Sequence, residues 1–139
     1  MQIFWWKCEE YLSTRLVFSG IEFNVDKEKG LSGFCDFIID ASQEQLTLSS
    51  PFITVVEAKN ENIIGGLGQC IAEMVAASIF NETEGNQVMR FYGVVTTGTA
   101  WKFIKMEGLD VLIDLDEYSI KNPGKIVGIL LEMLAQISV

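Results

Sequence analysis

A chain of 139 residues with 49% apolar side chains is long enough to bury one hydrophobic core, too short for two full domains, and too apolar to be disordered. Ten basic against nineteen acidic residues give a net charge of −9, which opposes generic binding to phosphate backbones or anionic lipid. Histidine is absent, so Ser-His and Cys-His nucleophiles and His-containing zinc sites are excluded, and any chemistry falls to carboxylates and lysine.

The opening MQIFWWKCEEY meets acidic residues almost at once and lacks a basic stretch followed by a cleavable apolar one, which predicts a cytoplasmic protein. Over residues 3–17, Phe4, Trp5, Cys8, Leu12 and Leu16 recur near the helical period and predict a short first helix, broken at Ser19-Gly20. IEFNVDKEKGLSGFCDFIID then reads as two strands of a hairpin around a charged turn at Asp26 to Gly33. After the polar ASQEQLTLSSP, PFITVVEAK is apolar at nearly every position before its two charges, as suits a strand covered on both faces.

Asn60 to Gly68 reads as a glycine-containing loop, and LGQCIAEMVAASIF as a helix covered almost all round. NETEGNQ turns the chain into VMRFYGVVTTG, which the Thr97-Gly98 turn joins to TAWKFIKM as a second hairpin. Past Glu107-Gly108, DVLIDLDEY alternates like a strand with one more polar face. Asn122-Pro123 starts a last apolar helix running to Ile137. The predicted order is α-β-β-β-α-β-β-β-α, a single α/β (α+β) domain over residues 1–139 with a mixed sheet flanked by helices. Its apolar runs fall short of a bilayer span, so no membrane segment is predicted. The high apolar content and the apolar last helix point to a homodimer. Cys8, Cys35 and Cys70, odd in number and far apart, suggest buried thiols rather than a metal cage or a disulfide framework.

The candidate chemistry centres on PFITVVEAK. In a strand, residues two apart share a side, so Glu57 and Lys59 are expected to project together while Ala58 faces the other layer. A carboxylate and an ammonium among valines are costly unless paired or occupied by a ligand. Asp36 interrupts the apolar GFCDFIID in the same way, and the two interruptions can meet across the sheet. Asp36, Glu57 and the Ala58 carbonyl would then offer oxygens to Mg²⁺ or Mn²⁺, which prefer carboxylate plus substrate phosphate. Such a cation makes a water more acidic and neutralises charge on the phosphate, while Lys59 orients the nucleophile. Gln69 opens the next helix one turn before Glu73, so both can aim at the same spot.

Asp36, then EAK at 57–59, then Gln69 on the following helix resembles the PD-(D/E)XK nuclease superfamily, the restriction-endonuclease-like proteins. VVEAKNENIIGGLGQCIAEM followed by FYGVVTTGTAWKF is similar to small members of that superfamily of a kind found in cyanobacterial genomes. The resemblance runs from about Gly33 to Tyr118. It implies metal ligation by Asp36 and Glu57, a catalytic role for Lys59, a supporting role for Gln69, and hydrolysis of DNA. The proline that names the motif is missing before Asp36, where Cys35 stands. The superfamily's early helix, which often brings a further glutamate, is short here, with Glu10 or Glu9 in its place. The rival expectation is a catalytically degenerate domain of the same fold that binds a protein partner or dimerises. Asp114 and Asp116, framed by no apolar strand or lysine, read as a solvated face, and Trp5, Trp6 and Trp101 as core or interface.

Overall fold

The computed structural model describes residues 16–26, 31–40 and 51–136, with side chains described over 53–136. The elements are strands β1 (Leu16–Asp26), β2 (Leu31–Asp40) and β3 (Pro51–Glu57), a 3-10 turn (Lys59–Glu61), helix α1 (Ile63–Thr83), strands β4 (Arg90–Thr96), β5 (Ala100–Glu107), β6 (Asp110–Ile113) and β7 (Tyr118–Ser119), and helix α2 (Pro123–Ala135). The expected mixed sheet with helices is found. Residues 3–15 of the predicted first helix lie outside the described residues. Leu16 and Val17, its expected end, are already strand, and Ser19 and Gly20 do not break it. Cross-strand pairing to β2, Ser19 with Phe37 and Ile21 with Cys35, carries β1 straight through.

Strand order follows the chain from β1 to β6, with β7 beside β5. β3 and β4 pair in parallel, and the neighbouring pairs are antiparallel. A parallel pair needs a crossover, and α1 supplies it. β3 and β4 are the heart of the core: Ile53, Val55, Val56, Val94 and Val95 are fully buried. That matches the nearly continuous apolar run, as expected for strands covered on both sides.

The covering layers follow from alternation along β4. Gly93 meets Met74 and Cys70 of α1, whereas Tyr92, one residue earlier, donates its hydroxyl proton to Gln136 at the end of α2. The two helices therefore lie on opposite faces. α1 begins at Ile63, four residues before its expected start, because the Asn62 side chain accepts a hydrogen bond from Gly65 N at 3.0 Å and caps it. Among the described residues, α1 is the one helix long and apolar enough to cross a membrane. Its buried residues Gly66, Cys70, Met74 and Ala77 recur at helical spacing and seat it on the sheet. α2 starts at Pro123 as expected, although Asn122 makes no side-chain cap.

Candidate functional site

β3 ends in an abrupt change of environment. Ile53 to Val56 are at most 1% exposed, and Glu57, the next residue, is exposed. Glu57 sits opposite Thr96, the last residue of parallel β4. The ladder reaches one residue further, where Ala58 N donates to Thr96 O at 2.8 Å. The carboxyl ends of the parallel pair thus lie side by side at one rim of the sheet. Beyond Ala58 the chain curls into the 3-10 turn, closed by Asn62 N donating to Lys59 O at 3.1 Å. Two consecutive non-glycine residues there, Asn60 (φ 54°) and Glu61 (φ 56°), adopt the left-handed conformation. L-residues avoid it at a cost of about 1 kcal/mol or more each, least for asparagine.

Glu57, Ala58 and Lys59 are consecutive at this rim, but Lys59 is not part of the strand. The expectation that Glu57 and Lys59 alternate along one strand is corrected, because pairing to β4 stops at Ala58 and the left-handed pair turns the backbone away. Both charged residues are exposed rather than held among valines. Ala58 faces the other layer, as expected: it lies against Gly66 of α1. Alternation then sets Glu57 on the face away from α1.

Asp36 belongs to β2, antiparallel to β3. The last rung of that ladder is Phe37 with Val55, so Asp36 is level with Val56 rather than Glu57, and the expectation that the two acidic positions meet is corrected: alternation sets them on opposite faces of the sheet. Gln69 is in the second turn of α1 rather than at its opening, because the helix absorbs Gly65, Gly66 and Gly68. Its Nε2 donates to Glu73 Oε1 at 3.2 Å, which joins the two side chains expected to aim at one spot. They sit on the α1 side, across the sheet plane from Glu57. Glu73 in turn bears on Cys70. Burial pushes the Cys70 thiol up to about 12, with a contribution from the nearby Glu73 charge, against the lowering effect of its hydrogen bonds to Thr54 and Val94.

Among the described residues no group of three or more acidic or cysteine side chains is close enough to hold a metal ion. The Asp36 side chain lies outside those described. The donor chemistry at the rim, a carboxylate beside a main-chain carbonyl, is of the hard-oxygen kind that suits Mg²⁺ or Mn²⁺.

Elsewhere, Asp114 and Asp116 do not share a strand. Asp114 Oδ1 accepts from Asp116 N at 3.0 Å and Oδ2 from the Tyr118 hydroxyl at 2.8 Å. Those bonds, with Lys102 nearby, hold its carboxyl below the usual range. Trp101 is fully buried, in keeping with a core role. A groove of about 620 Å³ runs between α2 and the sheet, with Tyr92, Phe103, Leu112, Ile129 and Met133 among its lining residues.

The left-handed pair is the feature that sequence reading missed. Asn60 carries a weak signal, since asparagine tolerates the conformation, and Glu61 carries none. No family model, curated protein or solved structure matches this chain.

Proposed function

We propose that this chain is a metal-dependent phosphodiesterase of the endonuclease type, hydrolysing DNA in the cytoplasm at the rim where β3 ends. The observation that carries the reading is the pair of left-handed residues directly after Glu57, Ala58 and Lys59. Conformations of this cost cluster where a chain is held for function. Here the strain sits at the carboxyl ends of a parallel strand pair, the rim at which open α/β sheets bind ligands.

Glu57 and the Ala58 carbonyl would hold a Mg²⁺ or Mn²⁺ ion, with water and substrate phosphate filling its other positions. When bound, that ion supplies charge neutralisation at the phosphate and a more acidic water. Lys59, exposed on its turn, donates protons in hydrogen bonds to a phosphate oxygen and favours the charge that builds there. Gln69, bonded to Glu73 on the α1 side, takes no part at this rim. Incubation of supercoiled plasmid with the purified protein and Mg²⁺ or Mn²⁺ tests the reading. Nicking is expected, with loss in Lys59→Ala, and nicking that persists in Lys59→Ala counts against it. Titration with Mn²⁺ followed by electron paramagnetic resonance separates binding from turnover, since Glu57→Gln should weaken the bound signal and Asp36→Asn, on the other face of the sheet, should leave it unchanged.

A second reading, a catalytically degenerate domain that dimerises or binds a protein, is favoured by the net charge of −9 and by Leu131 of α2, a large aliphatic residue that is 36% exposed. Its test is sedimentation: a homodimer should dissociate when Leu131 is replaced by glutamate.

A further inference from the structure

The strand β6 closes one end of the sheet, and among the described residues nothing pairs with its outer edge. Its ladder to β5 pairs Ile104 with Ile113, Lys105 with Leu112 and Met106 with Val111. Asp114 N donates to Phe103 O at 3.0 Å. Because backbone groups alternate in direction along a strand, those of Leu112 and Asp114 point toward β5, and those of Val111 and Ile113 point outward. Proteins usually guard such an edge with lysine, proline or a covering segment. Here the edge carries Val111, Leu112 and Ile113, exposed at 37%, 54% and 40%. Leu112 also lines the groove beneath α2.

Charge brackets the aliphatic stretch. The sequence across the edge is Asp110-Val111-Leu112-Ile113-Asp114. Hydrogen bonding holds Asp114 in its charged form. A second copy of this chain fits poorly, because the register that stacks the aliphatic residues of two such strands sets Asp110 of one against Asp114 of the other. Like charges directly opposite are destabilising.

We propose that the outer edge of β6 accepts an extended segment of a partner protein as an added antiparallel strand, with three aliphatic residues flanked by lysine or arginine. Main-chain bonds to Val111 and Ile113 would provide affinity. The central aliphatic residue would extend the groove wall beside Leu112, and the flanking cations would face Asp110 and Asp114. The inference rests on β6 alone and stands whether or not the rim at Glu57 hydrolyses DNA.

The probe is a fluorescein-labelled peptide Gly-Lys-Val-Leu-Val-Lys-Gly, with Gly-Glu-Val-Leu-Val-Glu-Gly as its charge-reversed control, followed by anisotropy on the full chain. The lysine peptide should bind saturably and the glutamate peptide at least about tenfold more weakly. Ile113→Pro removes an outward donor that β5 does not use, so the sheet tolerates it, and affinity should fall by about tenfold or more. Asp110→Lys, which leaves the backbone intact, should weaken the lysine peptide and strengthen the glutamate peptide. Equal binding to wild type and Ile113→Pro would reduce the effect to surface charge and overturn the proposal. So would absence of binding, or a wild-type dimer that Ile113→Pro converts to monomer.

Discussion

Gly93 of β4 lies so close beneath Met74 of α1 that a methyl group at position 93 would stand 2.5 Å from the Met74 sulfur and 2.6 Å from the Cys70 sulfur. Met74 is 1% exposed and Cys70 fully buried, so neither has room to retreat. Gly93→Ala should therefore destabilise the protein by about 1–3 kcal/mol, despite the stiffer chain that alanine gives. Urea denaturation measures it. Met74→Ala costs about 2–5 kcal/mol alone, and the double variant should cost less than the sum, because the smaller side chain makes room for the new methyl.

The same close contact explains which parts of the fold were legible. PFITVV announced a doubly covered strand, and Ile53 to Val56 are buried as that run requires. The start of α1 was hidden, because Gly65, Gly66 and Gly68 look like loop residues in isolation. Gly66 is needed within the helix: a Cβ there would stand 2.7 Å from Val95, a tertiary constraint that no local pattern reveals. Ser19 and Gly20 misled for the opposite reason, since cross-strand pairing overrode their local preference to break. Asp110 to Tyr118 read as one strand, yet Asp114 turns back onto Asp116 and Tyr118, and the alternation stops at Ile113. At the candidate site the residue types Glu57 and Lys59 were visible, but the end of the ladder at Ala58 depends on β4 and was not.

Cys70 gives a pH signature. Its thiol is pushed up to about 12 in the folded protein, above its value in the unfolded chain. A group that loses its proton more easily when unfolded costs nothing below the unfolded pKa, and stability falls as pH rises past it. Between about pH 9 and pH 12, wild type should lose about 1.4 kcal/mol per pH unit more than Cys70→Ala does. Denaturation midpoints collected across that range give the slope difference, which is independent of the cavity the alanine leaves. Equal slopes would show that the thiol does not titrate on unfolding. Below pH 9 the Cys70 peptide should also resist alkylation until denaturant is added.

Asp114 behaves in the reverse sense. The Asp116 amide and then the Tyr118 hydroxyl hold its carboxyl low, so its contribution is present above the unfolded pKa and is lost as pH falls through the folded one. Tyr118→Phe retains the edge-on packing against Phe103, whose ring centroid is 5.5 Å away, and deletes only the hydroxyl. Carboxyl carbon chemical shifts should then show the Asp114 titration moving up toward the ordinary aspartate range, with β6 intact. An unchanged midpoint would mean that the Asp116 amide and Lys102 set it without the hydroxyl.

The left-handed residues after Lys59 separate stability from activity. Asn60 tolerates φ 54°, so Asn60→Gly should be close to neutral, whereas Glu61 at φ 56° has no such tolerance. Glu61→Gly should stabilise the fold by about 0.5–1 kcal/mol, the relief of strain being partly offset by the greater freedom of glycine in the unfolded chain. If that strain holds Lys59 toward a bound phosphate, the more stable variant should nick plasmid more slowly, and thermal melting paired with nicking rates reads both effects. A Glu61→Gly variant that is more stable and equally active would show that the turn does not position Lys59. One that is less stable would show that the Glu61 side chain contributes more than its backbone conformation costs.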